Sequence, residues 1–290
     1  MKIKKYSLLA LFAGAMAFSS CNDVEHIDIV DIQKPFTYDE QYYQNLRDYK
    51  KSDHEICYIY FEAWDGANPT SMAERFKGLP DSVDIVNVWA DVPTPDKFPL
   101  ACEDVKYCQE KLGTRFVMHA DASNYWHKFT AGGIEYDMAG DSNVSDEMME
   151  AYALYIRETV AAGNMNGVDI DYEGWSSNNL NRLVNILSRY YGPKGENPEM
   201  LLIVDFFSAS PSTDLQELCD YFVAQDYSPQ TGGLRAWSQY IPEKVIHCET
   251  FGSSNKDKAE STILQYAAWE PGNGHRKGGA GAYSVQYNYT

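Results

Sequence analysis

Residues 166–173, Asn-Gly-Val-Asp-Ile-Asp-Tyr-Glu, alternate three carboxylates with three apolar or aromatic side chains. Side chains two apart in a strand share a face, so Asp169, Asp171 and Glu173 line one side, and Val168, Ile170 and Tyr172 the other. Alternation alone would also suit a surface strand with a solvated acidic face. This run, however, lies between two helix-like segments and its second face is strongly apolar, which is the βαβ signal of a parallel strand buried on both sides. Acids at successive inward positions of such a strand cost several kcal/mol each unless they hydrogen-bond, share protons or face a wet pocket. The fold must supply such a pocket.

Seven further segments read as strands: 55–62, 82–90, 114–121, 199–207, 221–227, 244–250 and 278–286. Helical spacing is predicted for 70–79, 98–112, 145–162, 177–191 and 256–269, with a weaker signal at 232–241. The helix at 145–162 is the best marked: Ser145 caps it, Asp146 and Glu147 suit its positive end, and Met148, Met149, Tyr152, Tyr155 and Ile156 recur at helical spacing. Eight strands alternating with helices over 290 residues argue an α/β (β/α)8 TIM barrel with its active site at the strand C-termini. No helical pattern follows the eighth strand, so the last helix is expected to be missing. Residues 122–144 read as a long loop holding Trp126, His127 and Gly132-Gly133, and loops of that length tend to be functional.

At the N-terminus a lysine-rich start, an apolar run from Leu8 to Phe18 and then Phe18-Ser19-Ser20-Cys21 form a secretory signal with a lipobox-like end. The predicted organisation is a signal peptide over 1–20, a tether and lead-in over 21–52 and the barrel over 53–290, with Cys21 lipidated. The apolar run is shorter than the roughly 20 residues of a bilayer span. Asn22-Asp23-Val24-Glu25 resembles the export signal of Gram-negative surface lipoproteins, so the outer membrane, facing outward, is the expected location. A formal charge of −18 argues against nucleic acid or anionic lipid as partners and leaves the lipid anchor as the expected membrane link. Cys57, Cys102, Cys108, Cys219 and Cys248 show no zinc-ligand spacing and read as free thiols, and no cluster implies a metal or organic cofactor.

Residues 166–173 match the D-x-x-D-x-D-x-E signature of glycoside hydrolase family 18 in all but the first acid, where Asn166 stands. The chain thus resembles the chitinases and endo-β-N-acetylglucosaminidases, which use substrate-assisted rather than two-carboxylate catalysis. The resemblance implies that Glu173 protonates the glycosidic oxygen and later activates water. Asp171 would orient the substrate's acetamido group, and Asp169 would share a proton with Asp171. Family members carry a tyrosine at the end of the sixth strand, and Gln225-Asp226-Tyr227 occupies that place, making Tyr227 the candidate with Gln225 beside it. Glu249 and Tyr283, at the seventh and eighth strands, are further candidates to face the sugar. Trp64, Trp89, Trp126, Trp175 and Trp237 fall near strand ends, and Trp175 and Trp64 are the expected stacking platforms.

Three departures stand out: Met118-His119-Ala120-Asp121 in place of a small S-x-G-G run, no tryptophan ending the eighth strand, and Asn166 itself. Only about 28 residues separate the last two strands, too few for the inserted domain that deepens many chitinase grooves. An open cleft resembles the endo-β-N-acetylglucosaminidases acting on N-linked glycans or other GlcNAc-containing oligosaccharides. Two alternatives remain, a chitinase acting on short chitooligosaccharides and a catalytically silent glycan-binding lipoprotein.

Overall fold

The computed structural model describes residues 38–89, 91–123, 126–139, 144–252 and 254–288. The expected signal peptide, Cys21 and most of the tether lie outside the described residues. The compact unit that carries the sheet runs from Tyr43 to Thr290.

Ten strands are present among the described residues: β1 (Ile56–Phe61), β2 (Ile85–Val88), β3 (Arg115–Asp121), β4 (Trp126–Ala131), β5 (Ile134–Ala139), β6 (Gly167–Tyr172), β7 (Leu201–Phe206), β8 (Tyr221–Gln225), β9 (Val245–Thr250) and β10 (Gly279–Tyr283). Eight of them form a closed parallel barrel in the order β1-β2-β3-β6-β7-β8-β9-β10, and β10 returns to pair with β1. This is a (β/α)8 TIM barrel. The strands read as near-continuous apolar runs because both faces are covered: every residue of β7 is buried.

Ile56, Ile85, Val117, Leu201, Ile203, Val223, Ile246 and Cys248 point inward with Tyr58 and Tyr60 and fill the barrel. Truncating one such aliphatic side chain to alanine costs about 2–5 kcal/mol. Two glycines let the strands approach. Gly167 opens β6 at φ 142°, and a Cβ there would stand 2.2 Å from the Leu201 carbonyl oxygen. At Gly281 a Cβ would meet the Tyr58 carbonyl oxygen at 2.3 Å and Cys248 Sγ at 2.7 Å.

The helices are α1 (Glu40–Lys51), α2 (Pro99–Tyr107), α3 (Asp146–Ala162), α4 (Ser177–Leu187), the single turn α5 (Ser228–Thr231) and α6 (Lys256–Ala268). Ser145 Oγ caps α3 by accepting from the Met148 N–H at 3.1 Å, and Ser176 caps α4 in the same way. α2 continues as a π-helical segment, Cys108–Leu112, which Gly113 ends at φ 73°. α1 occupies part of the expected lead-in, and its Arg47 and Lys50 donate to the carbonyls of Lys111 and Val83.

Three sequence expectations are corrected. Residues 70–79 form two 3-10 turns (Met72–Glu74 and Phe76–Gly78) rather than a helix, pinned by the Arg75–Asp104 ion pair at 2.6 Å. The helical signal at 232–241 is displaced into α5, which ends at Gly232 with φ 82°. The expected long loop at 122–144 holds a β-hairpin: β4 and β5 pair antiparallel, with Ala131 opposite Ile134. Its two-residue turn, Gly132-Gly133, has φ of 56° and 78°, as a type I′ turn requires.

After β10 the chain makes a 3-10 turn, Val285–Asn288. Lys277, just before β10, is 1% exposed, and its Nζ donates to Glu55 Oε2 at 2.6 Å and to the carbonyls of Ala267 and Trp269. It therefore ties the end of α6 to the start of β1. The five cysteines named above are unpaired.

Candidate active site

Along β6 the three acids sample three environments. Asp169 is fully buried inside the barrel, where its Oδ2 accepts from the Tyr58 hydroxyl and, at 2.9 Å, from Asn87 Nδ2. Asp171, one inward position higher, is half-buried, and its Oδ1 accepts from Gln225 Nε2 at 3.0 Å. Glu173 lies beyond the end of the strand and is exposed at the barrel mouth. Its N–H donates to the Asp171 carbonyl at 3.2 Å, and Gly174 follows at φ 122° in a bridge to Ser123.

A fourth acid joins the row from β7. Asp205 pairs in register with Asp171 and is fully buried. Its Oδ2 accepts from the Tyr60 hydroxyl at 2.6 Å and from Gln225 Nε2 at 3.2 Å, so Gln225 bridges two carboxyl groups. His119 of β3 stands on the other side of Asp171, with its Nε2 3.6 Å from Asp171 Oδ2 and 3.7 Å from Asp121 Oδ1. The His119 ring stacks on Trp89 at a centroid distance of 4.7 Å.

Burial governs the ionisation of this cluster. Asp171 is pushed up to about 7, chiefly by desolvation and also by the charges of Glu173 and Asp169, while His119 pulls it back. Desolvation, reinforced by Asp169 and Asp171, drives Asp205 well above the carboxylate range. Asp169 is also raised by burial, although its bonds from Tyr58 and Asn87 favour the anion. For His119, burial works against the cation, but contact with Asp121 and the charges of Asp171, Asp121 and Asp169 outweigh it, so its pKa rises. Burial thus biases the two deepest acids, Asp169 and Asp205, toward the neutral form, and Asp171 above them is raised to about 7.

Tyr227 follows β8 and is 9% exposed. Its ring lies 5.9 Å from that of Tyr283 and 6.1 Å from that of Phe207. Desolvation and the charges of Cys248, Asp205 and Asp171 hold its phenol well above the usual value, which keeps it an O–H donor near Asp171. Tyr283 sits on the same rim and donates to Glu62 Oε2 at 2.9 Å.

The remaining expected site residues are placed otherwise. Glu249 is fully buried, and its Oε1 accepts from the N–H groups of Ser228 and Thr250, so it braces the α5 turn instead of facing a sugar. Trp175 is 3% exposed beside Tyr152 and presents no open face. Trp64 packs on Phe76 and Phe98 and donates to the Trp89 carbonyl. Trp89, half-exposed above His119, has the rim position that a stacking platform needs.

Sequence reasoning missed Tyr58, Tyr60, Asn87, His119 and Asp205 as members of the cluster. Period-2 alternation in Tyr58, Tyr60 and Glu62 was the available signal. Asn166 sits at the start of β6, far down the strand from Glu173. Its Oδ1 accepts from the Phe116 N–H and from Gln109 Nε2, both at 2.9 Å, so it clamps β3 to β6. A cavity of about 620 Å³ lies at that strand N-terminal end, lined by Arg47, Lys50, Arg115 and Asn166. Barrel catalysis belongs to the opposite end, where the carboxylates are. Among the described residues, His119, Asp121 and Asp171 bring three metal-capable atoms within 4.8 Å of one another.

Acids of such different environments on one barrel rim define a barrel glycosidase, in which one carboxyl gives up a proton while its neighbours hold charge or stay neutral. Residues 22–240 match the family model described as glycoside hydrolase family 18, BT1044-like, and the chain belongs to that family. It is 26% identical over 272 residues to endo-beta-N-acetylglucosaminidase F2 of Elizabethkingia meningoseptica, covering 83% of this chain and 76% of that one. The fold is similar to the apo endo-beta-N-acetylglucosaminidase of Cordyceps militaris (TM-score 0.63, 22% identity, 86% of this chain and 88% of that one). A mutant of that enzyme in complex with fucosyl-N-acetylglucosamine-Asn superposes with a TM-score of 0.62 at 22% identity, covering 86% and 88% of the two chains.

Proposed function

We propose that this glycosidase is an endo-β-N-acetylglucosaminidase that cleaves the GlcNAc-β-1,4-GlcNAc core of N-linked glycans with retention of configuration. The observation that carries the reading is the gradient along β6, with an exposed Glu173 directly above a half-buried Asp171 whose Oδ1 is fixed by Gln225. The named activity of the relatives from Elizabethkingia and Cordyceps supports the substrate class. So does the β9–β10 connection, whose described residues form α6 and a short turn and which is too short for an inserted domain to wall the cleft.

In the first step Glu173 gives its proton to the glycosidic oxygen as the bond to the anomeric carbon breaks. The substrate's acetamido carbonyl oxygen attacks that carbon, forming an oxazolinium ion. Asp171 accepts the acetamido N–H and balances the positive charge, and the Tyr227 hydroxyl donates to the acetamido oxygen. In the second step the Glu173 carboxylate takes a proton from water, whose oxygen opens the oxazolinium and returns the same anomer. Gln225, itself bonded to Asp205, holds Asp171 from below.

The test is to incubate the purified protein with a high-mannose and a complex N-glycoprotein and with chitotetraose, beside Glu173→Gln, and to weigh the released products. Glycan release leaving one GlcNAc on the protein, lost in the variant, is the expected result. Cleavage of chitotetraose alone would convert the reading to chitinase, and binding without cleavage would end the enzyme reading. Attachment to the outer membrane through Cys21, facing outward, belongs to the same proposal and rests on the lipobox-like sequence. Metabolic labelling with palmitate, lost in Cys21→Ala, tests it.

A further inference from the structure

We propose that His119, Asp121 and Asp171 form a binding site for a divalent transition metal, zinc in the first instance, at the mouth of the barrel. The two separations from His119 are close to those of a ligand set. His119 Nε2 lies 3.6 Å from Asp171 Oδ2 and 3.7 Å from Asp121 Oδ1. Imidazole and carboxylate atoms bound about 2.1 Å from a tetrahedral zinc stand about 3.4 Å apart, so the two His119 separations are close to those of bound ligands, while the three atoms together lie within 4.8 Å and the two carboxylates draw together on closure. Asp121 and Asp171 are direct register partners on adjacent strands, which fixes both carboxylates on rigid backbone.

An independent observation points the same way. The His119 side chain is 9% exposed, yet its Nε2 has no hydrogen-bond partner and is aimed between the two carboxylates. The two carboxylates stand just beyond hydrogen-bond distance of it, so the nitrogen is placed to carry a proton held by their charge or, in its stead, a metal shared by the three groups. Stacking on Trp89 fixes the ring, and the Asn87 amide lies 3.4 Å from Nδ1.

The donor set selects the ion. One imidazole with two carboxylates suits zinc and its first-row neighbours, whereas calcium and magnesium favour all-oxygen shells. Asp169, Glu173 and Asp205 surround the trio with further acidic groups, and Asp121, 46% exposed, leaves a coordination position open to solvent. A metal held there engages Asp171 Oδ2. Under the hydrolase reading, and only under it, that removes Asp171 from the acetamido group and makes the metal-bound form an off-state.

Metal-stripped protein would be titrated with ZnCl2 by calorimetry and with CoCl2 by visible absorption, with CaCl2 and MgCl2 as comparators. One zinc per chain, an intense low-coordinate cobalt spectrum and affinity about 10–100-fold weaker in both His119→Gln and Asp121→Asn are expected. Circular dichroism and thermal unfolding establish that each variant is folded. Binding that is absent in the wild-type protein, or unchanged in both folded variants, would overturn the site. Hydrolysis that persists in zinc-saturated protein would overturn the off-state. Zinc binding in a protein that cleaves nothing even when metal-free would sink the hydrolase reading and leave the metal site standing.

Discussion

Replacing Gln225 with leucine removes one amide that serves two acids. Its Nε2 donates to Asp171 Oδ1 at 3.0 Å and to Asp205 Oδ2 at 3.2 Å. Asp205 keeps the Tyr60 hydroxyl on the same oxygen, at 2.6 Å, and being held neutral it tolerates the loss. Asp171 has no comparable substitute, because the nearest other donor, His119, is 3.6 Å away at the opposite oxygen. A hydrogen bond to a charged group contributes about 1.5–3 kcal/mol, so kcat on a dansylated or glycoprotein substrate should fall about 10- to 150-fold. KM should move far less, since Gln225 is 4% exposed and lies beneath the acids rather than in the cleft. Loss of two neutral or charge-assisted bonds from a buried site should also lower Tm by a few degrees, at about 2–4 °C per kcal/mol. Product release measured by chromatography across substrate concentrations separates the two parameters. A variant with kcat within twofold of wild type would show that Gln225 does not position Asp171.

Other substitutions probe other parts of the molecule. Asp205→Asn should gain stability over wild type as pH rises. A carboxyl raised in the folded state binds its proton more tightly there than in the unfolded chain, so wild-type stability falls as pH climbs from about 4 through the raised value, and the asparagine has nothing to ionise. Urea unfolding at pH 4 and pH 8 should show equal stabilities at the first and a deficit for wild type at the second. Asn166→Ala should cost about 1–3 kcal/mol in the same assay, having lost acceptance from Phe116 and Gln109, with kcat unchanged, and Asn166→Asp should restore the stability. Trp89→Ala should raise KM about tenfold by removing a stacking face at the rim, whereas Trp64→Ala, packed between Phe76 and Phe98, should lower Tm and leave KM in place. A KM change in Trp64→Ala larger than in Trp89→Ala would reverse the assignment of the platform.

The strands were legible because a parallel barrel buries both faces of each one, and long apolar runs between capped helices show that directly in the residue order. Asp169, Asp171 and Glu173 were legible because one strand holds all three. What one strand cannot reveal is who faces it across the ring. Tyr58 reaches Asp169 from 111 residues away and Tyr60 reaches Asp205 from 145, and only the closed register brings them together. Trp175 and Glu249 were misjudged for the same reason: a position near a strand end fixes height along the barrel but not whether the side chain turns to the mouth or to the wall. The hairpin β4–β5 could have been found, since Gly132-Gly133 between two alternating runs is a two-residue turn signal that the length of the segment obscured. The 3-10 turns at 72–78 could not, because the Arg75–Asp104 pair that holds them spans 29 residues.

The pairing of β1 with β10, Ile56 against Gly279, also dictates the order in which the chain can acquire its structure. A finished ring has no edge strands, but until the last strand docks, β1 and β9 each present an open row of backbone donors and acceptors. Synthesis delivers β1 first and β10 last, so β1 must wait for almost the whole chain before its partner exists. The entropy of closing so long a loop rises only logarithmically with its length, but contacts this distant in sequence slow folding far more than they weaken it. Lys277, which bonds Glu55 beside β1 while gripping the end of α6, works as a latch on the seam. Refolding yield, rather than native stability, is where damage to that latch would register first.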